Sequence, residues 1–87
     1  MGIDELQSLL REKTYVAGLK QTRRSLEGKR AKMVIIASDA DEPLRAELCA
    51  ACKKQGVSHV SAFTMRELGE CCDIDVGASV IAILETE

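Results

Sequence analysis

The sequence predicts an α/β fold in which helices cover both faces of a small sheet. Three observations carry that prediction. Helical and strand patterns alternate along the 87 residues as α-β-α-β-α-β-α-β with short connections. Two apolar runs rich in β-branched residues, Met33–Ala37 and Ala78–Leu84, read as strands buried on both faces. The breakers Gly28, Pro43 and Gly56 fall where those patterns change.

The first helix runs from Asp4 to about Lys13, with Leu6, Leu9 and Leu10 on one side and Asp4 and Glu5 in its first turn. Tyr15-Val16-Ala17 is a short strand. Gly18 turns it into a second helix, Leu19 to Glu27, which presents Leu19, Thr22 or Arg23, and Leu26 to the interior and stops at Gly28. After the central strand Met33–Ala37, the loop Ser38-Asp39-Ala40-Asp41 leads to Glu42-Pro43, with the proline in the first turn of a helix where its missing N–H costs nothing. Leu44, Leu48, Ala51 and Gln55 are expected along one face of that helix, and Gly56 ends it. Val57 to Ala62 is a weaker strand. Thr64-Met65-Arg66-Glu67 reads as a capping box opening a short helix through Cys71. Cys72 to Gly77 is a loop, and Ala78 to Leu84 is the last strand.

With 46% apolar and 30% charged residues, the chain is expected to fold as one globular domain over residues 1–87. No apolar run approaches a membrane span, and the N-terminus lacks the basic and apolar regions of a signal peptide, so a cytoplasmic location is expected. The four cysteines should then be reduced. Tyr15 and Phe63 are the only aromatic residues, too few for a platform that stacks single-stranded bases.

The net charge is −2, but its distribution is uneven. Residues 11–32 hold eight basic side chains against two acidic ones, and residues 33–87 hold four basic against ten acidic. Screening limits charge effects to about 10 Å at ordinary salt, so a polyanion senses the local excess. The basic segment includes Gly18-Leu19-Lys20-Gln21-Thr22-Arg23-Arg24. A helix start exposes N–H groups without intrahelical partners and favours phosphate. Here it also carries ammonium, amide, hydroxyl and guanidinium groups, which bind phosphates and read base edges.

Three stretches carry a resemblance: the Gly18–Arg24 stretch, Val34-Ile35-Ile36-Ala37-Ser38-Asp39-Ala40-Asp41, and Met65–Gly69 through Ile74–Ala78. In this order and spacing they resemble the kink-turn-binding ribosomal protein family called L-seven-Ae/L-thirty-e, especially its small bacterial members. The likeness runs from about Tyr15 to Leu84. It implies a three-layer α/β/α sandwich with a small mixed four-stranded sheet. It also implies recognition of a kink-turn, a sharply bent RNA motif with tandem sheared G·A pairs, with the ribosome as a possible host. No DNA, membrane or cofactor is implied. Carried over by position, the RNA-binding residues are Gly18, Lys20, Gln21 and Arg24 from the first motif and Ile74, Asp75, Val76 and Gly77 from the last.

Physical chemistry supports those roles independently. A regular A-form duplex hides its base edges in a narrow major groove. A kink opens it, so Lys20 can donate to guanine O6/N7 and Gln21 can bond another base edge. Gly18, without a Cβ, allows close backbone approach. Arg24, one turn beyond Lys20, suits a phosphate, and Ile74 and Val76 suit an unstacked base. Two departures stand out: the chain is acidic overall, and Cys71-Cys72-Asp73 replaces the Ala-Cys-Gly frequent in related sequences. Asp73 puts a negative charge near the expected RNA surface.

Two other readings compete. The acidic second half could serve a protein–protein adaptor. Cys49-Ala50-Ala51-Cys52 with Cys71-Cys72 has zinc-like spacing on paper, although Cys49 and Cys52 fall within one helix and Cys52 fits a buried apolar site. His59 has no second histidine. Asp39 and Asp41 read as a loop and helix N-cap pair rather than as catalytic carboxylates. There is no nucleophile–base pair, Walker sequence or GxGxxG, and an enzyme is not expected.

Overall fold

A computed structural model describes residues 2–74 and 76–85. It contains α1 (Ile3–Glu12), β1 (Tyr15–Ala17), α2 (Leu19–Glu27), β2 (Ala31–Ala37), α3 (Glu42–Gln55), β3 (Ser58–Phe63), α4 (Met65–Cys71) and β4 (Val80–Leu84). The strands form one sheet in the order β1-β4-β2-β3. β2 pairs with β3 in parallel and with β4 antiparallel, and β4 pairs antiparallel with β1. This is the mixed four-stranded sheet that the resemblance implies.

Alternation along β2 and β4 divides the core. Ile35, Ala37, Ile81 and Ile83 pack with Leu6 and Leu10 of α1 and Leu68 of α4. Val34, Ile36 and Val80 face the other way, toward Leu26 of α2 and Leu48 and Cys52 of α3. Because the two inner strands are buried on both faces, their side chains are apolar at successive positions. The result is a sandwich with α1 and α4 on one side and α2 and α3 on the other.

Several boundaries and faces differ from the sequence-based expectation. β2 begins at Ala31, two residues early, because Ala31 is buried and pairs with Leu84 while Lys32 faces water. β4 begins at Val80, since the Ala78 N–H is spent on the Met65 carbonyl outside the sheet. In α3 the buried stripe continues from Leu48 to Cys52, and Gln55 is exposed. In α2 Thr22 is the inward residue and Arg23 is exposed.

Gly28 caps α2, but with φ −82°; the left-handed position belongs to Lys29, at φ +55°. The Lys29 and Arg30 N–H groups bond back to Leu26 and Ser25 carbonyls, the Schellman closure normally made around a glycine. The capping box of α4 is present as expected: Thr64 accepts from the Glu67 N–H, and Glu67 accepts from the Thr64 N–H.

Candidate nucleic-acid interface

At one end of the sheet, β1, β2 and β3 finish and antiparallel β4 begins. Gly18, the 38–41 turn, Thr64 and the 72–79 loop therefore meet at that end. Gly18 has φ +99° and ψ 159°, backbone that a side chain would strain. Its N–H donates to the Val80 carbonyl at 2.8 Å, and its carbonyl accepts from the Thr22 N–H at 3.1 Å. A Cβ at Gly18 would meet nothing within 4 Å. The glycine is thus required by the turn itself, and the surface beside it is open.

The N-cap residue of α2 is Gly18, which has no side chain to cap it, so the first N–H groups lack an intrahelical partner at the positive end of the helix dipole. Lys20, Gln21 and Arg24 are all exposed there. Lys20 and Arg24 lie one turn apart, and among the described residues neither forms an ion pair. Arg23 is different: it is tied to Glu47 of α3. The structure thus sorts the basic cluster into groups available to a ligand and one engaged within the fold.

The loop before β4 is built on α4. Asp73 adopts φ +57°; its N–H donates to Glu70, and the Ile74 N–H donates to Gly69. This is a second Schellman closure with a non-glycine residue at the left-handed position. Gly69 is buried beneath the returning chain, where a Cβ would lie 2.6 Å from the Val76 carbonyl oxygen. Gly77 abuts Met65, whose carbonyl accepts from the Ala78 N–H at 3.0 Å. With its backbone fixed at both ends, the loop presents Ile74, 38% exposed, and Val76, 71% exposed. They are the exposed large hydrophobic residues among those described. Asp75, between them, lies outside the described residues.

The other candidates are placed differently from the sequence reading. Asp41 occupies the N-cap position of α3 but makes no side-chain cap. Asp39 instead reaches across 26 residues to accept the Met65 N–H at 2.8 Å, a contact that local sequence does not signal. Cys49 and Cys52 pack on the α2–α3 side of the sheet, whereas Cys71 and Cys72 pack on the α1–α4 side. The sheet between them rules out a joint zinc site. Among the described residues, no three His, Cys, Asp or Glu side chains come together to hold a metal ion.

Burial raises the thiol pKa of Cys52, with Cys49 adding to it, and burial likewise raises that of Cys71 beside Glu67 and Glu70. Cys72 is also raised by burial, against the lowering effect of its hydrogen bond to Tyr15. Tyr15 in turn is raised, first by burial and then by Cys72. Raised values keep these thiols protonated, away from the thiolate form that reacts or binds metal. No described helix is long and apolar enough to cross a membrane.

Similarity to known proteins agrees with this architecture. Two proteins named RNA-binding protein, from Geobacillus thermodenitrificans and, as RNA-binding protein YbxF, from Geobacillus stearothermophilus, are each 38% identical over 78 residues. Each match covers 90% of this chain and 95% of the relative. The solved structure of the Giardia lamblia 15.5kD RNA binding protein superposes with a TM-score of 0.81 at 24% identity, over 98% of this chain and 72% of that one; this likeness concerns the fold. Residues 3–87 match the Ribosomal protein L7Ae/L30e/S12e/Gadd45 family, and the chain belongs to that family.

Proposed function

We propose that this protein binds structured RNA and recognises the kink-turn, acting in the cytoplasm as a non-catalytic, ribosome-associated component. The observation that carries the reading is a juxtaposition. A helix start whose N-cap is Gly18, bearing Lys20 and Arg24 that form no ion pair among the described residues, shares one end of the sheet with exposed Ile74 and Val76. The Gly18–Val80 hydrogen bond ties the helix start to the first residue of β4, the strand that follows the loop bearing Ile74 and Val76.

The mechanism follows from the chemistry of the two parts. In a kinked duplex the start of α2 enters the opened groove, Lys20 and Gln21 meet base edges, and Arg24 meets the phosphate backbone. Gly18 lets the backbone approach. Ile74 and Val76, flanking Asp75 and followed by Gly77, cover nucleotides turned out of the stack. Exposed apolar side chains are costly to leave in water, and an unstacked base supplies an apolar face to cover them. The names of the relatives support the RNA part of the reading.

A titration against a generic kink-turn RNA tests it, with a control RNA whose G·A pairs are replaced by Watson–Crick pairs at the same salt. Strong preference for the kink-turn is expected. Weak and equal binding to both would overturn the reading in favour of a protein-binding role for the acidic second half. Co-sedimentation with ribosomes at rising salt tests the proposed association.

A further inference from the structure

We infer that Asp39 is a positioning residue for the apolar loop, fixing through the Met65 peptide where Ile74 and Val76 stand; this rests on the kink-turn reading above. Asp39 lies in the turn after β2, which is tightened by the Ala40 N–H bonding to Ala37 and anchored by buried Ala40. Its Oδ1 accepts the Met65 N–H at 2.8 Å. Met65 is the first residue of α4, so that N–H has no partner within the helix. The capping box does not satisfy it, because Thr64 takes the Glu67 N–H instead.

The Met65 peptide is a junction. Its N–H is held by Asp39 and its carbonyl holds Ala78, and it leaves little room at Gly77, where an added Cβ would lie 3.2–3.3 Å from its carbonyl oxygen, carbonyl carbon and Cβ. The Ala37 N–H donates to the Ser79 carbonyl at 2.8 Å, so the contacts close into a ring: end of β2, Asp39, Met65, Ala78, Ser79 and back to Ala37. The recognition loop leaves from this ring. α4, at 7 residues, is too short to fix its own end without tertiary contacts. A carboxylate at the positive end of that helix makes a charge-assisted bond, stronger and more directional than a neutral one.

Kinetics of release from kink-turn RNA, with a fluorescent adenine analogue at the unpaired loop nucleotide, separates positioning from mere support of α4. Asp39→Ala should dissociate about tenfold faster, with an unchanged salt slope because no phosphate contact is lost. Asp39→Asn keeps an acceptor oxygen and should remain within about twofold of wild type. Thr64→Ala destabilises α4 without touching the Asp39–Met65 bond and should release RNA at the wild-type rate.

Met65→Pro removes the donor at a helix position that tolerates proline, and it serves if Asp39→Ala fails to fold. It should release RNA faster, and Asp39→Asn should change nothing further in that background. Wild-type release from Asp39→Ala or a folded Met65→Pro would overturn the inference, as would equal acceleration by Thr64→Ala. Should the wild type show no kink-turn preference, the functional reading falls and takes this inference with it. A retained preference with indifferent Asp39 variants removes the inference alone.

Discussion

Arg23 and Glu47 form a two-pronged ion pair that ties α2 to α3: two guanidinium nitrogens each lie 2.8 Å from a carboxylate oxygen. Both side chains are about half exposed, at 49% and 48%, so water weakens the pair. Arg23→Ala should cost no more than about 1 kcal/mol of stability. Lys20→Ala should leave stability unchanged and cost about 1–3 kcal/mol in kink-turn binding. Thermal unfolding and RNA titration of both variants check this contrast. Retained affinity in a folded Lys20→Ala protein would remove Lys20 from the site.

Asp73 occupies a left-handed backbone position at φ +57°, which glycine adopts without a Cβ penalty. Asp73→Gly should raise stability by roughly 0.5–1 kcal/mol and also strengthen RNA binding by removing a negative charge. Asp73→Asn separates these effects, since asparagine tolerates the backbone and lacks the charge. It should improve RNA affinity with little change in unfolding. Titrations at two salt concentrations test the electrostatic part; unchanged affinity at low salt for both variants would refute it.

Gly69 has a different constraint: its backbone needs no unusual angle, but the space above it is filled. A methyl group would lie 2.6 Å from the Val76 carbonyl oxygen and 3.0 Å from the Gly77 Cα. Gly69→Ala must move backbone and should cost about 1–3 kcal/mol. It should also shift the loop carrying Val76, weakening RNA binding more than the stability loss alone implies. Urea unfolding together with titration under conditions where the variant is fully folded provides the comparison.

The alkaline side of the stability profile should carry the buried thiols. Cys52, Cys71, Cys72 and Tyr15 hold their protons to higher pH in the fold than in the unfolded chain. Their contribution is therefore whole below the ordinary thiol value of 9.0. It is lost as pH rises through the folded values, because the unfolded chain gives up protons first. Denaturation midpoints should be level in this respect near neutrality and fall above about pH 9. A Cys52→Ala protein should show a shallower fall.

Features set by local chemistry were legible in the sequence. The capping box at Thr64 and the strand-to-helix turn at Gly18 each depend on a few consecutive residues, and both elements form as expected. The apolar strands were legible for the same reason. Contacts over long separations were not: nothing near Asp39 points to Met65, and nothing near Arg23 points to Glu47. The helix stop at Gly28 was legible, but the left-handed residue is the next one, Lys29. Gln55 fitted the helical spacing of Leu44 and Leu48 but is exposed, and the buried stripe runs on at i+4 to Cys52, the buried apolar site that the sequence also allowed. The exposed positions of Ile74 and Val76 were reachable only through the family resemblance, because apolar side chains are otherwise expected inside.

The sheet order places β4, the final strand in sequence, between β1 and β2. During synthesis, β1 and β2 therefore have no mutual pairing to make: β1 has no partner strand until residues 80–84 arrive, whereas β2 can pair first with β3. The β2–α3–β3 segment can assemble earlier, but the Gly18 turn acquires its Val80 partner only when β4 arrives. A nascent chain shorter than this has its basic helix but not the completed end of the sheet against which that helix starts. A fragment stopped before β4 should therefore lack the fixed Gly18 turn and fail to yield a competent RNA binder however well its early helices form.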